Sequence, residues 1–225
     1  MVRAIMHGCN GKMGQVITGL AAADDNIEIV AGIDVFDDGH NSYPVFSNLN
    51  DCNVKADVII DFASAKAIDG LLDYCETTHM PLVLCTTGLS EEQIARVSKV
   101  SKVTPVLRSA NMSLGINTLF KVLKSVAPLL ADAGFDIESL AEPYSYKYDR
   151  SGDRAMRPKN EIGISAVRGG TIVGEHEVIF AGEDEVIEFK HTAYSKSVFA
   201  KGAIEAAKFL AGKPAGLYTM KEVIG

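Results

Sequence analysis

The sequence predicts an α/β protein: a Rossmann-type doubly wound parallel sheet plus a second α+β domain with a mixed sheet. A strand-like run at the N-terminus ends in a glycine-rich turn and continues as an amphipathic helix. Strand-length apolar runs then alternate with helical patterns to about residue 112, which is typical of parallel sheets. After residue 135, strand-like runs follow one another with few helices. We therefore expect one domain over 1–112, completed by 197–225, and another over 113–196.

The turn after the first strand has the glycine spacing G-x-x-G-x-x-G and reads Gly8-Cys9-Asn10-Gly11-Lys12-Met13-Gly14. Gly8 permits the tight turn, Gly11 lets backbone N–H groups approach a pyrophosphate, and Gly14 lets helix and strand pack closely. Asp34 follows the next predicted strand, at the position where an acidic side chain binds a ribose hydroxyl. The turn is therefore predicted to bind a dinucleotide. The alternative is that its glycines only shape a tight strand-to-helix connection.

The residues after Asp34 bear on the choice of cofactor. A 2′-phosphate usually needs an arginine or lysine beside the acidic position, whereas here the neighbours are Val35, Phe36, Asp37 and Asp38. Additional carboxylates would repel the phosphate, so we expect NADH to be preferred, with NADPH possible. The alternative is that Asp37 and Asp38 point into solvent.

Composition excludes several classes of protein. The 225 residues carry a net charge of −7, so no nucleic-acid partner is expected. The four cysteines and five histidines lack metal-ligand spacing, which favours reduced cytoplasmic thiols and no metal site. No secretory signal and no apolar run of membrane-spanning length is expected.

Two later turns lie at the ends of predicted strands, where open α/β sheets bind ligands. Cys85-Thr86-Thr87-Gly88 follows the apolar run that begins at Pro81, and Ser109-Ala110-Asn111-Met112 follows the run that begins at Thr104. Between them, Ser90 and Gln93 have the spacing of a helix capping box, and Ser64 is a candidate N-cap earlier in the chain.

The second half of the chain begins with a long predicted helix from Ser113 to about Ala131. Strands are predicted over Phe135–Glu142, Glu161–Val167, Thr171–Phe180 and Glu185–Thr192. A helix over Ser197–Gly212 and a tail over Leu217–Ile224 complete the chain, and we expect the tail to pack back on the first domain. Because exposed strands pair with other chains, the second domain is the expected place for self-association.

Several motifs beyond the glycine turn carry a family resemblance. They are Asp57-Val58-Ile59-Ile60-Asp61-Phe62, the Thr86-Thr87-Gly88 and Ser109–Ser113 turns, the segment 162–176 that contains Arg168-Gly169-Gly170, and Phe199-Ala200-Lys201-Gly202-Ala203. With them the chain resembles the 4-hydroxy-tetrahydrodipicolinate reductase (dihydrodipicolinate reductase) family along nearly its whole length. One small departure is Cys85, where the family usually has glycine.

The resemblance implies a cytoplasmic homotetramer of lysine and diaminopimelate biosynthesis. Its reaction is hydride transfer from NAD(P)H to a cyclic unsaturated dicarboxylate, without nucleic-acid or membrane partners. The residues that the resemblance assigns to the cofactor are Gly8, Cys9, Asn10, Gly11, Lys12, Met13, Asp34, Cys85, Thr86, Thr87, Ser109, Ala110, Asn111 and Met112. Arg168 and Gly169 are candidates for binding the substrate carboxylates, and the alternative for them is a strand end and a hairpin turn.

The chain departs from the family at its catalytic signature, His-His-x-x-Lys-x-Asp-Ala-Pro-Ser-Gly-Thr. The signature should follow Glu142, but the sequence from Pro143 to Gly152 has no such motif. Either the motif has decayed, with Lys147 and Asp149 as remnants, or the whole segment is absent between Glu142 and Pro143. We favour absence, because it needs no further gap before Gly170, and no catalytic residue is then assigned.

Three functions follow from these observations. The first is the reductase, with its catalytic segment missing from the sequence as disordered, deleted or naturally lost residues. The second is a non-catalytic NAD(H)-binding or sensor protein. The third is a different Rossmann dehydrogenase, which the long motif around Arg168 argues against.

Overall fold

The computed structural model describes residues 1–37, 39–135, 145–148, 151–155, 158, 161–166 and 169–225. The chain divides into two compact units. Unit 1 comprises Met1–Asn117 and Lys196–Gly225, and unit 2 comprises Thr118–Ser195.

The helices and strands alternate through most of the chain. In order, they are β1 (Val2–His7), α1 (Lys12–Ala21), β2 (Ile27–Ile33), β3 (Val45–Phe46), β4 (Val58–Asp61), α2 (Ile68–Thr78), β5 (Leu82–Leu84), α3 (Glu91–Val100), β6 (Pro105–Arg108), α4 (Leu114–Asp132), β7 (Ser145–Lys147), β8 (Glu161–Gly163), β9 (Gly174–Ala181), β10 (Val186–Ala193), α5 (Ser197–Leu210), β11 (Gly216–Tyr218) and α6 (Met220–Ile224).

Unit 1 is built on a seven-stranded sheet in the order β11-β6-β5-β4-β1-β2-β3. Its described strand pairs are all parallel. This confirms the predicted Rossmann-type fold. The chain moves outward from β1 through β2 to β3 and then returns to place β4 on the other side of β1. The carboxyl ends of β1 and β4 therefore border the switch point at which such sheets bind ligands.

The core of unit 1 has two layers because side chains alternate across each strand. Ala4 and Met6 of β1 face a cluster that includes residues of α1 and α5, whereas Ile5 faces residues of α2 and α3. Alanines on the buried face of α5 allow a close approach to the sheet. Gly202 in this helix has no room for a side chain, because a Cβ there would lie 1.7 Å from the Met112 carbonyl oxygen.

Unit 2 contains two strand pairs among its described residues. Strands β9 and β10 form an antiparallel pair, and β7 and β8 form a parallel pair. The sequence did not predict β7, and most of the strand expected over Phe135–Glu142 lies outside the described residues. Phe180 is the largest fully buried side chain among the described residues of this unit, and it meets Phe189 edge to face at 5.8 Å.

Helix α4 has the length and apolar composition of a membrane span, contrary to the expectation from the sequence. A single helix of this length and composition is weak evidence for a membrane span. Lys121 and Lys124 interrupt its apolar surface, and only a small fraction of its residues is buried among the described residues.

Candidate nucleotide-binding site

The glycine turn between β1 and α1 has a shape that side chains would obstruct. Gly8 has a φ of +83°, and a Cβ there would lie 2.9 Å from the Phe62 carbonyl oxygen. A Cβ on Gly14 would lie 2.3 Å from the Gly8 carbonyl oxygen. Helix α1 begins at Lys12, and no side chain caps its first turn at Gly11. The result is an open cradle of backbone N–H groups at a helix N-terminus, which suits a pyrophosphate.

Asp34 is brought to this turn directly after β2. Its carboxylate accepts a hydrogen bond from the Asn10 backbone N–H at 3.0 Å. The acidic side chain expected to bind the adenosine ribose thus lies against the loop expected to bind the pyrophosphate. Val35 and Phe36 beside it are exposed, and Asp38 lies outside the described residues.

Two residues that the sequence did not single out hold this arrangement together. Asn41 donates from Nδ2 to Asn10 Oδ1 at 2.7 Å, and Gln15 donates from Nε2 to Asn41 Oδ1 at 3.0 Å. Gln15 also donates to the Cys9 carbonyl oxygen at 2.9 Å. The loop after Asp34, the glycine turn and the first turns of α1 are therefore joined by side-chain amides. No spacing rule predicts this contact, because Asn10 and Asn41 are 31 positions apart.

The side chain of Cys9 lies in the core, so any contact with a nucleotide would come from its backbone. Burial raises the pKa of the Cys9 thiol to about 11, and the nearby Asp34 carboxylate adds to the rise. The thiol is therefore protonated at neutral pH. Lys12 is exposed and Met13 half-buried on the first turn of α1.

The Thr86-Thr87 turn follows β5 at the same edge of the sheet. Thr86 is buried, and its hydroxyl Oγ1 has no hydrogen-bond partner among the described residues, whereas Thr87 is exposed. Cys85 donates its backbone N–H to the Asp61 carbonyl oxygen at 3.0 Å, so the turn continues the sheet pairing. A cradle that a Cβ would fill and a buried hydroxyl without a partner together fit a nicotinamide dinucleotide.

The Ser109–Met112 turn follows β6 and leads into α4. The Asn111 side chain accepts the Ser113 backbone N–H at 2.8 Å, and Asn117 donates to the Asn111 carbonyl oxygen at 2.8 Å. The carboxamide oxygen of Asn111 is thus engaged in shaping the start of the helix. Met112 is buried, and Ser109 and Ala110 are partly or fully open to solvent.

The residues expected to bind substrate are not placed together by the described structure. Arg168 lies outside the described residues, as do Glu142 and Pro143, and Gly169 is exposed in unit 2. Lys147, the lysine of the decayed-motif alignment, forms an ion pair with Asp153 at 2.8 Å. No group of three metal-binding side chains occurs in the part of the chain that the structure describes.

Comparison with known proteins gives matches along the whole chain. The model of the N-terminus of dihydrodipicolinate reductase matches residues 2–112, and that of its C-terminus matches residues 115–224. The 4-hydroxy-tetrahydrodipicolinate reductase of Clostridium novyi is 44% identical, covering 100% of this chain and 98% of the relative. That of Caldanaerobacter subterraneus is 45% identical, again covering 100% and 98%.

Solved structures show the same fold. A dipicolinate-bound dihydrodipicolinate reductase from Paenisporosarcina sp. TG-14 superposes with a TM-score of 0.77 at 19% identity, covering 99% of both chains. A diaminopimelate dehydrogenase from C. glutamicum superposes with a TM-score of 0.57 at 13% identity, covering 100% of this chain and 95% of the other.

Proposed function

The chain belongs to the dihydrodipicolinate reductase family of NAD(P)H-dependent oxidoreductases, and we propose that it uses NADH to reduce 4-hydroxy-tetrahydrodipicolinate to tetrahydrodipicolinate. The observation that carries this proposal is the open backbone cradle at the switch point, in a chain that matches reductases of this name from end to end. The same membership supports a cytoplasmic role in lysine and diaminopimelate biosynthesis.

The described residues support distinct roles around the cofactor, which when bound supplies the hydride. The N–H groups in the uncapped first turn of α1 would hold the pyrophosphate. The glycine turn would bring these groups to it, since its own N–H groups donate within the protein, that of Gly8 to Ile33 and that of Asn10 to Asp34. Asp34 would bind the adenosine ribose, and Thr86 and Thr87 would orient the nicotinamide half. Arg168 and Gly169 remain the proposed carboxylate-binding residues.

NADH is the proposed preference because the loop after Asp34 has no basic residue before His40. A 2′-phosphate would meet the Asp34 carboxylate without a lysine or arginine in this loop to offset the repulsion. Competitive titration of NADPH against bound NADH tests this preference directly.

We also propose that a catalytic segment is missing between Glu142 and Pro143. Hydride addition to an imine-like carbon leaves a nitrogen that must be protonated, so a positioned acid is required. The sequence from Pro143 to Gly152 lacks the family's His-His-x-x-Lys signature, and its lysine is paired with Asp153. The match to the C. novyi relative extends over 249 residues against 225 in this chain, which leaves room for such a segment.

A second candidate function is binding of NAD(H) without turnover, favoured by the absence of that signature from the sequence. Two measurements separate the candidates. The intact mass of the native protein should exceed the 24.1 kDa of this sequence if the segment exists. Steady-state NADH oxidation with freshly generated substrate should be weak for the 225-residue chain.

The control is a variant of this chain in which the corresponding segment of the C. novyi reductase is inserted after Glu142. This variant should oxidise NADH in the presence of the substrate. NADH binding without turnover in both proteins would favour the non-catalytic function. Full turnover by the 225-residue chain would show that no segment is missing.

A further inference from the structure

A buried histidine and a buried aspartate meet at the switch point of the sheet. His7 is the last residue of β1, Asp61 is the last residue of β4, and the two are register partners. His7 Nδ1 lies 2.7 Å from Asp61 Oδ1, with both side chains almost fully shielded from solvent. None of the roles proposed above uses this pair.

The pair lies directly beneath two loops that border the proposed pyrophosphate site. Gly8 follows His7 and begins the glycine turn, and residues 62–64, here called the β4 loop, follow Asp61. The His7 carbonyl oxygen accepts the Phe62 N–H at 3.0 Å, and Gly8 donates to the Ile33 carbonyl oxygen at 2.8 Å. Asp61 Oδ1 also accepts the Ala63 N–H at 3.2 Å. The pair is thus linked to both loops.

Because Asp61 is buried, its carboxylate needs a hydrogen-bond partner such as His7. Asp61 is fully buried, and its Oδ2 has no hydrogen-bond partner among the described residues. Its other close neighbours include the Cys75 and Cys85 thiols, whose pKa values are raised by burial and further by the Asp61 charge. A buried carboxylate in such surroundings is costly unless a donor or a cation pairs with it. A carboxylate only accepts hydrogen bonds, so His7 Nδ1 is the donor.

We propose that His7 is a positioning residue for the nicotinamide dinucleotide, holding the glycine turn against the β4 loop through its hydrogen bond to Asp61. This inference rests on the proposed nucleotide binding. Without the hydrogen bond, the cost of burying Asp61 is relieved by moving the two strand ends apart, which widens the cradle beneath the pyrophosphate. The loss of affinity then comes from loop position, since His7 itself does not contact the nucleotide.

The test compares three substitutions by calorimetric titration with NADH and by thermal unfolding. His7→Ala removes the donor and should raise the Kd for NADH at least about tenfold, the scale of a lost hydrogen bond to a charged group. His7→Asn places an amide N–H near the position of Nδ1 and should keep the Kd within about threefold of wild type. His7→Gln carries its amide one bond further and should resemble His7→Ala.

Lys208→Met is the matched control, because it breaks a half-buried ion pair with Asp24 at 2.9 Å on helix α5 of unit 1, away from the glycine turn. It should lower the unfolding temperature and leave the Kd unchanged. Equal Kd values for His7→Asn and His7→Gln, or a Kd that follows unfolding temperature across all four variants, would overturn the inference. Wild-type protein that binds neither NADH nor NADPH would overturn the proposed function as well, whereas wild-type affinity in a folded His7→Ala protein would overturn the inference alone.

Discussion

At the scale of single residues, Asp34 is the group on which nucleotide affinity should depend most. Asp34→Ala removes the carboxylate proposed to bind the ribose hydroxyls, and hydrogen bonds to a charged group contribute roughly 1.5–3 kcal/mol. We expect the Kd for NADH to rise about tenfold or more in calorimetry. Asp25→Ala, which removes an exposed carboxylate near the other end of β2, is the control and should bind NADH normally. Unchanged affinity in Asp34→Ala would exclude the ribose role.

Asn41 should matter through its two hydrogen bonds to Asn10 and Gln15. Asn41→Ala removes one link between the loop after Asp34 and the glycine turn and leaves the hydrogen bond from Asn10 Nδ2 to the Phe36 carbonyl oxygen. Losing a neutral hydrogen bond typically costs about 1 kcal/mol. We expect an increase of about fivefold in the Kd for NADH, measured by fluorescence titration. Asn26→Ala is the comparison, because the Asn26 side chain donates to the nearby Asp24 carboxylate, away from the glycine turn. If both variants bind alike, the amide network does not position the ribose site.

The residues also show which features of a site the sequence can predict. Gly8, Asp34 and Thr86 each follow a predicted strand closely, so the sequence alone indicated that they lie at the ligand-binding edge of the sheet. The His7–Asp61 contact joins positions 54 apart, and the Asn10–Asn41 contact joins positions 31 apart. Such pairs depend on the register between strands and on loop paths, and no local spacing encodes either.

At the scale of elements, the two serines that were predicted to cap helices differ. Ser90 forms the predicted capping box with Gln93, whose side chain also donates to the Ala65 carbonyl oxygen at 2.9 Å. Ser64 precedes a short 3-10 turn over Ala65–Ala67, and its side chain makes no capping hydrogen bond there. The predicted capping bond of Ser64 is therefore wrong. The tighter turn changes which N–H groups face the serine.

These two serines give a matched pair of substitutions on neighbouring helices. Ser90→Ala removes a side-chain cap and should lower the free energy of unfolding by about 1 kcal/mol. Ser64→Ala loses no cap bond and should change it by less than about 0.5 kcal/mol. Urea denaturation followed by circular dichroism measures both. An equal loss in the two variants would mean that the cap of α3 adds no stability.

Buried apolar strands were more predictable than short or polar strands. The central strands of unit 1 are continuous apolar runs because parallel strands are buried on both faces, so β5 and β6 were expected close to where they occur. The two-residue strand β3 carries no such run and was missed. The strand β7 was missed because Ser145–Lys147 is polar and aromatic, without an apolar face.

At the scale of the whole molecule, unit 2 exposes apolar side chains that a single chain leaves uncovered. Ile179 on β9 is 55% exposed and Val186 on β10 is 57% exposed. The strand register places both on the same face of the β9–β10 pair, opposite to the buried Phe180. The same face carries the charged side chains of Glu177, Glu188 and Lys190. Large apolar side chains open to solvent on a strand pair are a common feature of sites of association between chains.

We therefore predict that the chain self-associates through unit 2, and the family resemblance implies a homotetramer. Light scattering at micromolar concentration should give about four times the 24.1 kDa of one chain. Ile179→Asp puts a charge into the proposed interface, where it would be desolvated without a partner, so the oligomer should dissociate. Val103→Asp changes an apolar side chain of unit 1 that is 44% exposed, and it should leave the mass unchanged. A monomeric wild-type protein would refute the assembly, and dissociation by Val103→Asp alone would place the interface on unit 1.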